Sequence, residues 1–202
     1  MIDVHDIPVG WLHVLDDIQN VCPSAVISGG ALRDLYHGVP VKDIDIFIEA
    51  GGEQEAWGLF KLLGGEVPDA SGSFHYGLKD IADMDETGGA YPESMQEVIL
   101  VQDYPGRNET GLPVQLIFVN WRTDRIHLRF DMGICRITYD GHYLDISEEF
   151  KSDSANKLLN VRRCASKSAL GSSINRIVRL KEKYPDFEIA LDGVEIKEVD
   201  DG

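Results

Sequence analysis

The segment from residue 25 to residue 48 constrains the fold more than any other part of the chain. A short apolar run at residues 25–28 ends in Gly29 and Gly30, and helix-forming residues follow up to Tyr36. This pattern is typical of a buried strand that turns tightly into a helix. Glycine lets the backbone come close to a ligand, and the first turn of a helix presents free N–H groups to phosphate. The segment therefore predicts a strand-turn-helix unit that is suited to an anion.

A pair of aspartates follows in the next predicted strand, over residues 43–49, where acidic and apolar side chains alternate. Side chains at positions i and i+2 leave the same face of a strand, so Asp43 and Asp45 are expected to point together, roughly 6–7 Å apart at Cα. Two neighbouring carboxylates repel each other and favour a cation between them. Mg²⁺ suits this place because it binds carboxylates together with substrate phosphates. The two features together predict a site for a nucleoside triphosphate with Mg²⁺.

The rest of the pattern predicts a mixed order of helices and strands. Helices are expected over residues 6–20 and 53–63, strands over 97–101 and 114–119, a hairpin over 134–146, and a loop over 64–94. Two more helices are expected near 153–167 and 172–184, broken around Gly171, before an acidic, frayed tail. This order predicts an α+β fold, with one domain over residues 1–150 and a helical extension with an acidic tail over 151–202.

The charge of the chain is unevenly distributed. The formal net charge of −16 disfavours indiscriminate binding to nucleic acid or to an anionic membrane. Residues 151–183, however, carry nine Lys or Arg side chains against two acidic ones. This basic segment either holds a phosphate-bearing substrate such as RNA, or forms a solvated face that pairs with the acidic body. The sequence leaves both interpretations open.

Composition also bounds the cellular setting. No segment approaches the ~20 consecutive apolar residues of a membrane span, and residues 1–10 lack the pattern of a secretion signal. The spacing of Cys22, Cys135 and Cys164 fits neither a disulfide framework nor a metal knuckle. We therefore expect a soluble, cytoplasmic protein with no membrane partner.

Two segments carry a resemblance to a known family. Gly-Gly-Ala-Leu-Arg-Asp at residues 29–34, followed by Lys-Asp-Ile-Asp at 42–45, resembles the head-domain signature of class II tRNA nucleotidyltransferases (CCA-adding enzymes) and bacterial poly(A) polymerases. Residues 129–135, followed by Asp-Gly at 140–141, resemble the Arg-Arg-Asp-Leu-Thr-Ile-Asn segment and hairpin of that family. The resemblance spans residues 24–146. It implies a polymerase-β-like nucleotidyltransferase head, in which helices flank a mixed sheet.

The resemblance also implies roles for individual residues. Asp43 and Asp45 would be the catalytic residues and the Mg²⁺ ligands, while Arg129 and Asp131 would contact the nucleotide. The groups that would hold the triphosphate are Gly29, Gly30 and Arg33. Lys42 either meets a phosphate or shields the edge of its strand. The implied reaction is attack of a hydroxyl on the α-phosphorus with release of pyrophosphate, assisted by Mg²⁺.

The sequence also departs from the family pattern. Gln115 is neutral where the family strand usually offers a third acid, and Phe130 and Gly133 replace an Arg and a Thr. The family's Glu-Asp-x-x-Arg element, which selects the base, is absent. We expect a minimal, ATP-binding or NTP-binding nucleotidyltransferase that acts on a hydroxyl, with an RNA 3′ end such as that of tRNA favoured. The alternatives are a transferase for a protein or a small molecule, a nucleotide-binding module with weakened catalysis, and a structural domain in which Asp43 and Asp45 face solvent.

Overall fold

The structure is a computed structural model that describes residues 3–67, 98–164, 167–191 and 195–196. The helices are α1 (Val9–Gln19), α2 (Gly30–Tyr36), α3 (Glu53–Leu62), α4 (Glu148–Ala155) and α5 (Lys167–Lys183). Short 3-10 helices span Val4–Asp6, Thr123–Arg129 and Gly133–Cys135. The strands are β1 (Val26–Ser28), β2 (Ile44–Glu49), β3 (Val98–Asp103), β4 (Val114–Val119), β5 (Ile137–Tyr139), β6 (Leu144–Ile146), β7 (Leu158–Asn160), β8 (Arg163–Cys164), β9 (Glu188–Ala190) and β10 (Glu195–Ile196).

Six strands form one mixed sheet in the order β3-β4-β2-β1-β5-β6. The central strands β2 and β4 run parallel, and the other neighbours in this sheet are antiparallel. The alternation in β2 sends Ile44, Ile46 and Ile48 to one face and Phe47 to the other, because successive strand residues point to opposite faces. The sheet is thus buried on both sides.

The two faces of the sheet are covered by different elements. Helix α1 places Trp11, Val14, Leu15 and Ile18 at helical spacing against the first face, where α3 also packs. The opposite face is covered by the 3-10 helix Thr123–Arg129 and by residues of β7 and α5. The α+β class, with a mixed sheet flanked by helices, is therefore confirmed.

The chain after residue 150 differs from the prediction. A helix over 153–167 is wrong: α4 begins earlier, where the Ser147 side chain accepts a hydrogen bond from the Phe150 N–H, and β7 and β8 follow it. Helix α5 continues through Gly171, because a single glycine costs a helix only about 1 kcal/mol relative to alanine. The predicted frayed tail contains β9, which pairs in parallel with β7. Most of the predicted loop at 64–94 lies outside the described residues.

Residues on both sides of position 150 share one apolar cluster. Leu159, Ile177 and Tyr184 are buried in the same cluster as Phe47 and Ile117 of the sheet. The division of the chain at residue 150 stays a prediction. Among the helices that the structure describes, none has the length and apolar character needed to cross a membrane.

Candidate functional site

The turn between β1 and α2 requires glycine at its first position. Gly29 has φ of +81° and ψ of −123°, a conformation that side chains with a Cβ strongly disfavour. Its N–H donates to the Ile137 carbonyl at 3.0 Å, and its own carbonyl accepts from the Arg33 N–H at 3.0 Å in the first turn of α2. A Cβ on Gly29 would lie 3.1 Å from Cζ of Phe130. We call Gly29 and Gly30 the glycine corner.

The strand register places the acid pair beside the glycine corner. In the antiparallel pair β1–β2, Val26 lies opposite Phe47 and Ile27 opposite Ile46. The same register continued by one residue brings Ser28 opposite Asp45. The glycine corner follows Ser28 directly, so it lies at the end of β2 where Asp43 and Asp45 are found. The structure thus brings together the two features that the sequence predicted as one site.

Asp43 and Asp45 are electrostatically coupled. Asp43 precedes the first residue of β2 by one position, and both side chains are half-buried. Burial raises the pKa of Asp45 to about 7, the Asp43 carboxylate raises it as well, and the Arg33 guanidinium acts in the opposite direction. Two carboxylates in this state gain from a cation that binds both of them.

Gln115 lies beside Asp45 on the neighbouring strand. In the parallel pair β2–β4, Asp45 is the register partner of Gln115, and Gln115 is in turn the partner of Asp103 on β3. Paired residues of adjacent strands point to the same face. Asp45, Gln115 and Asp103 therefore form a row across three strands, with a neutral amide in its middle.

Arg33, a predicted triphosphate ligand, is buried in a bonded cluster. Its guanidinium lies 2.7 Å from the Asp34 carboxylate and donates to the Tyr184 hydroxyl and to Sγ of Cys135, both at 3.2 Å. A Cβ on Gly30 would lie 3.6 Å from its Nη2. The guanidinium therefore lies against the inner side of the glycine corner. Its contact with a triphosphate stays a prediction.

Sequence reasoning missed the residues that complete this cluster. The Asp34 carboxylate accepts hydrogen bonds from the Tyr184 hydroxyl and from Lys183 Nζ, both at the end of α5. The pattern Lys-Tyr-Pro at residues 183–185 indicated only the end of a helix. Because the contacts span about three quarters of the chain, no local signal could have identified them.

Asp131 and Arg129, the predicted nucleotide contacts, lie in different surroundings. Asp131 is fully buried, and its carboxylate accepts hydrogen bonds from the Ser173 hydroxyl and from Nη1 of Arg176, the latter at 2.7 Å. The guanidinium of Arg129 packs over the ring of Trp121. Asp131 thus joins the segment 129–135 to α5, and contact of either residue with a nucleotide stays a prediction. Lys42 is exposed just before β2.

Many cations of the basic segment pair within the chain. Five of them contact carboxylates: Lys151 with Glu148, Lys157 with Asp186, Arg162 with Asp153, Arg176 with Asp131, and Lys183 with Asp34. Lys181 donates to the carbonyls of Pro185 and Phe187. This finding favours the interpretation in which the segment pairs with acidic groups of the protein.

The acid pair offers a donor set that fits Mg²⁺ with a phosphate ligand. In the described part of the chain, no group of three or more His, Cys, Asp or Glu side chains is arranged to hold a metal ion by itself. Asp43 and Asp45 supply hard oxygen donors that solvent can still reach. Mg²⁺ is usually held by one or two carboxylates and completes its shell with water and substrate phosphates. The residues present therefore fit this ion when it arrives with a triphosphate.

Comparison with known proteins finds similarity in structure alone. No family model and no curated protein matches the chain. A Bacillus stearothermophilus CCA-adding enzyme in complex with CTP is similar, with a TM-score of 0.59 and 17% identity, over 93% of this chain and 42% of that one. A Thermotoga maritima CCA-adding enzyme complexed with tRNA has a TM-score of 0.55 and 17% identity, over 90% of this chain and 39% of that one.

A third similar structure, a tRNA-processing enzyme in an apo form, has a TM-score of 0.54 and 16% identity. It is matched over 91% of this chain and 45% of its own length. The chain thus spans less than half the length of these three solved chains. At these identities the likeness establishes the fold.

Proposed function

We propose that this chain is a nucleotidyltransferase that transfers a nucleoside monophosphate from a nucleoside triphosphate to a hydroxyl group and releases pyrophosphate. One observation carries the proposal: the carboxylates Asp43 and Asp45 adjoin the glycine corner. The fold in which they do so is similar to that of CCA-adding enzymes. A nucleotide site needs an anion cradle and a cation site next to each other, and this arrangement supplies both.

Each residue of the site has a separate task in this proposal. Asp43 and Asp45 hold Mg²⁺, which, when bound, neutralises charge on the phosphates and on the oxygens that attack and leave. Backbone groups of the glycine corner approach the triphosphate, and Arg33, held from behind by Asp34 and Tyr184, adds positive charge. Because phosphoryl transfer depends mainly on positioning and charge, no covalent intermediate is needed.

An RNA 3′ end, such as that of tRNA, is the acceptor we favour. Two of the similar solved structures are described as a CCA-adding enzyme complexed with tRNA and as a tRNA-processing enzyme. Arg129 and Asp131 are assigned to the nucleotide by the sequence resemblance. Many cations of residues 151–183 pair within the chain, so this proposal does not depend on them for contact with RNA.

The test offers labelled nucleoside triphosphates one at a time with Mg²⁺ and with pooled tRNA, a protein mixture, or no acceptor. Asp45→Asn is expected to reduce labelling at least about 100-fold, since it removes one of two metal-binding carboxylates. Asp16→Asn, on the exposed face of α1, is the matched control and should label normally. Full labelling by Asp45→Asn would exclude the proposed mechanism. The acceptor fraction that becomes labelled identifies RNA, protein or neither.

A nucleotide-binding module with weakened catalysis is the second candidate. The observation that favours it is the neutral Gln115 beside Asp45, where a third carboxylate would strengthen the hold on metal. Calorimetry with a non-hydrolysable triphosphate and Mg²⁺ should detect binding for either candidate. Binding without turnover for any acceptor class would favour the module.

A further inference from the structure

A cleft of about 380 Å³ opens at the carboxyl ends of the parallel strands β2 and β4. The residues that line it lie at the ends of these strands or directly after them, and one further lining residue belongs to α3. They are Glu49, Ala50, Gly51, Glu55, Asn120, Trp121 and Arg122. The volume is sufficient for a small organic molecule or for the end of a long side chain.

The chain path explains why a cleft forms at this place. After β2 the chain enters α3, whose Ala56 and Phe60 pack on the first face of the sheet. After β4 it enters the 3-10 helix Thr123–Arg129, whose Ile126 packs on the opposite face. The segments that follow these two adjacent parallel strands therefore lead to opposite faces of the sheet. In open sheets with parallel strands, such a switch point at the carboxyl ends is where ligands bind.

The cleft is separate from the acid pair. Glu49 follows Asp45 by four residues on β2, which corresponds to roughly 13 Å along an extended strand. The buried ring of Phe47 lies between them and packs against Phe130, with ring centroids 5.7 Å apart. A ligand in the cleft therefore does not reach the acid pair, although Trp121 of its lining contacts Arg129, which the sequence resemblance assigns to the nucleotide. The inference does not depend on the proposed nucleotidyltransferase activity.

The carboxylates of the cleft are held in place by the backbone. Glu49 Oε1 accepts from the Thr123 N–H at 2.8 Å, and Glu55 Oε2 accepts from the Gly51 N–H at 2.7 Å. An ionised carboxylate has about four acceptor positions on two oxygens. Each group therefore keeps acceptor capacity after its backbone bond, and its orientation is already fixed.

Arg122, at the rim of the cleft, is paired with an acidic side chain. Arg122 donates through Nη2 to Asp124 at 2.6 Å and through Nε at 3.2 Å. This exposed ion pair offsets part of the Arg122 charge, while Glu49 and Glu55 both line the cleft. Trp121 adds a half-buried indole, and the Arg129 guanidinium already packs over one face of its ring as a cation does on an aromatic surface. This lining suits a positive group and disfavours a phosphate.

We infer that this cleft is a binding site for an organic cation, namely an alkyl chain that ends in a guanidinium or an ammonium group. Glu49 and Glu55 accept charge-assisted hydrogen bonds from the cationic head. The Trp121 indole, which lines the cleft and carries the Arg129 guanidinium on its ring, packs against the alkyl part of the ligand. The net charge of −16 attracts such a ligand to the protein from solution.

The test is a titration of the full chain with agmatine, observed through the indole N–H resonances of its three tryptophans. Trp121→Phe assigns the relevant signal. We expect a saturable shift of the Trp121 resonance and no shift for Trp11, which is buried in the core. Butylurea, which is neutral, should bind at least about tenfold more weakly, because the charge-assisted bonds are lost.

Two matched variants separate the cleft from the general acidity of the protein. Glu55→Gln keeps an acceptor for Gly51 but removes the charge, and it should weaken agmatine binding about tenfold. Glu53→Gln changes an acidic residue two positions away that does not line the cleft, and it should alter the affinity less than about twofold.

Three results would overturn the inference. The first is the absence of any saturable Trp121 shift with agmatine. The second is equal weakening by Glu55→Gln and Glu53→Gln, which would indicate diffuse attraction to an acidic surface. The third is tighter binding of guanosine than of agmatine, which would indicate a nucleobase site.

Discussion

Asp34 and Tyr184, which are 150 positions apart in the sequence, are joined by a hydrogen bond in which the Tyr184 hydroxyl donates to Oδ1 of Asp34 at 2.5 Å. The same carboxylate contacts Arg33 and Lys183. Because α2 starts at the glycine corner, this cluster connects the end of α5 to the candidate nucleotide site. The residues after position 150 therefore help to hold the site in place, whichever acceptor the protein uses.

Removal of the Tyr184 hydroxyl tests this connection. Tyr184→Phe is expected to lower the free energy of unfolding by about 1–3 kcal/mol, since it leaves the buried Asp34 and Arg33 each without one partner. Urea unfolding followed by circular dichroism measures the change. Tyr143→Phe is the matched control, because Tyr143 is 75% exposed and should change stability by less than about 0.5 kcal/mol. Equal stability of the two variants would mean that the bond contributes little.

The glycine corner provides a second test. Gly29→Ala forces a Cβ into a backbone conformation that only glycine adopts readily, 3.1 Å from the Phe130 ring. The free energy of unfolding is expected to fall by about 3 kcal/mol, because the added Cβ causes both backbone strain and crowding. Gly38→Ala is the matched control: the φ of Gly38 is also positive, at +66°, but apart from its chain neighbours no described residue has an atom within 4 Å of the added Cβ.

The free energy of unfolding of Gly38→Ala should fall by only about 1 kcal/mol, because this substitution adds backbone strain alone. Thermal unfolding measures both variants. If Gly38→Ala cost as much as Gly29→Ala, the packing against Phe130 would have no part in fixing the corner.

Elements that depend on local sequence patterns were predicted accurately, whereas elements that depend on contacts between distant segments were not. Strand β2 and helix α3 begin and end within one residue of the prediction, because alternation and helical spacing are local signals. The segment that forms strand β7 was predicted to be helical. It forms a strand because it pairs with β9, which lies 30 residues later in the sequence. Long-range pairing of this kind leaves no periodic trace in a three-residue segment.

The same limit applies to the candidate site. The nearness of Asp45 to the glycine corner follows from the register of one strand pair, and local sequence patterns were sufficient to predict it. The spacing of Asp43 and Asp45 and their roles stay predictions. The burial of Arg33 was not predictable, because it depends on Tyr184 at the far end of α5. A charged residue in a signature motif gives no local indication of which distant groups will surround it.

Helix α5 allows a stabilising substitution. Gly171 lies in the interior of this helix, and beyond the surrounding helix backbone no atom of the described residues lies within 4 Å of the place where its Cβ would be. Gly171→Ala is therefore expected to raise the free energy of unfolding by about 0.5–1 kcal/mol, because alanine has the higher helix propensity. Gly58→Ala in α3, which is similarly open, should give a gain of the same size. A loss of stability in Gly171→Ala alone would show that α5 bends at this position.

Stability should depend on pH through His37. Burial lowers the pKa of His37, and Arg33 lowers it as well, while aromatic rings surround the imidazole. The unfolded chain takes up the proton near pH 6.5, so this contribution is present above that pH and is lost as the pH falls below it. The raised pKa of Asp45 has the opposite effect, because its contribution to the free energy of unfolding increases as the pH falls. Matched variants are therefore needed to isolate the contribution of His37.

The comparison is between His37→Gln and His142→Gln. His37→Gln should retain more of its stability than the parent chain between pH 7 and pH 5, because it removes the group that resists protonation. His142 is exposed, and its replacement should leave the pH profile unchanged. Urea midpoints at a series of pH values measure both. Parallel profiles for all three proteins would contradict the assigned role of His37.

Gln115 provides the sharpest test of the acid pair. Gln115→Asp places a third carboxylate beside Asp45, so Mg²⁺ with a non-hydrolysable triphosphate should bind about tenfold more tightly. Gln102→Asp is the matched control: Gln102 pairs with Leu116, so its side chain points to the opposite face of the sheet. Calorimetry measures both affinities. The added carboxylate strengthens binding only through a metal ion held by Asp43 and Asp45. An unchanged affinity in Gln115→Asp would therefore count against a metal site at this pair.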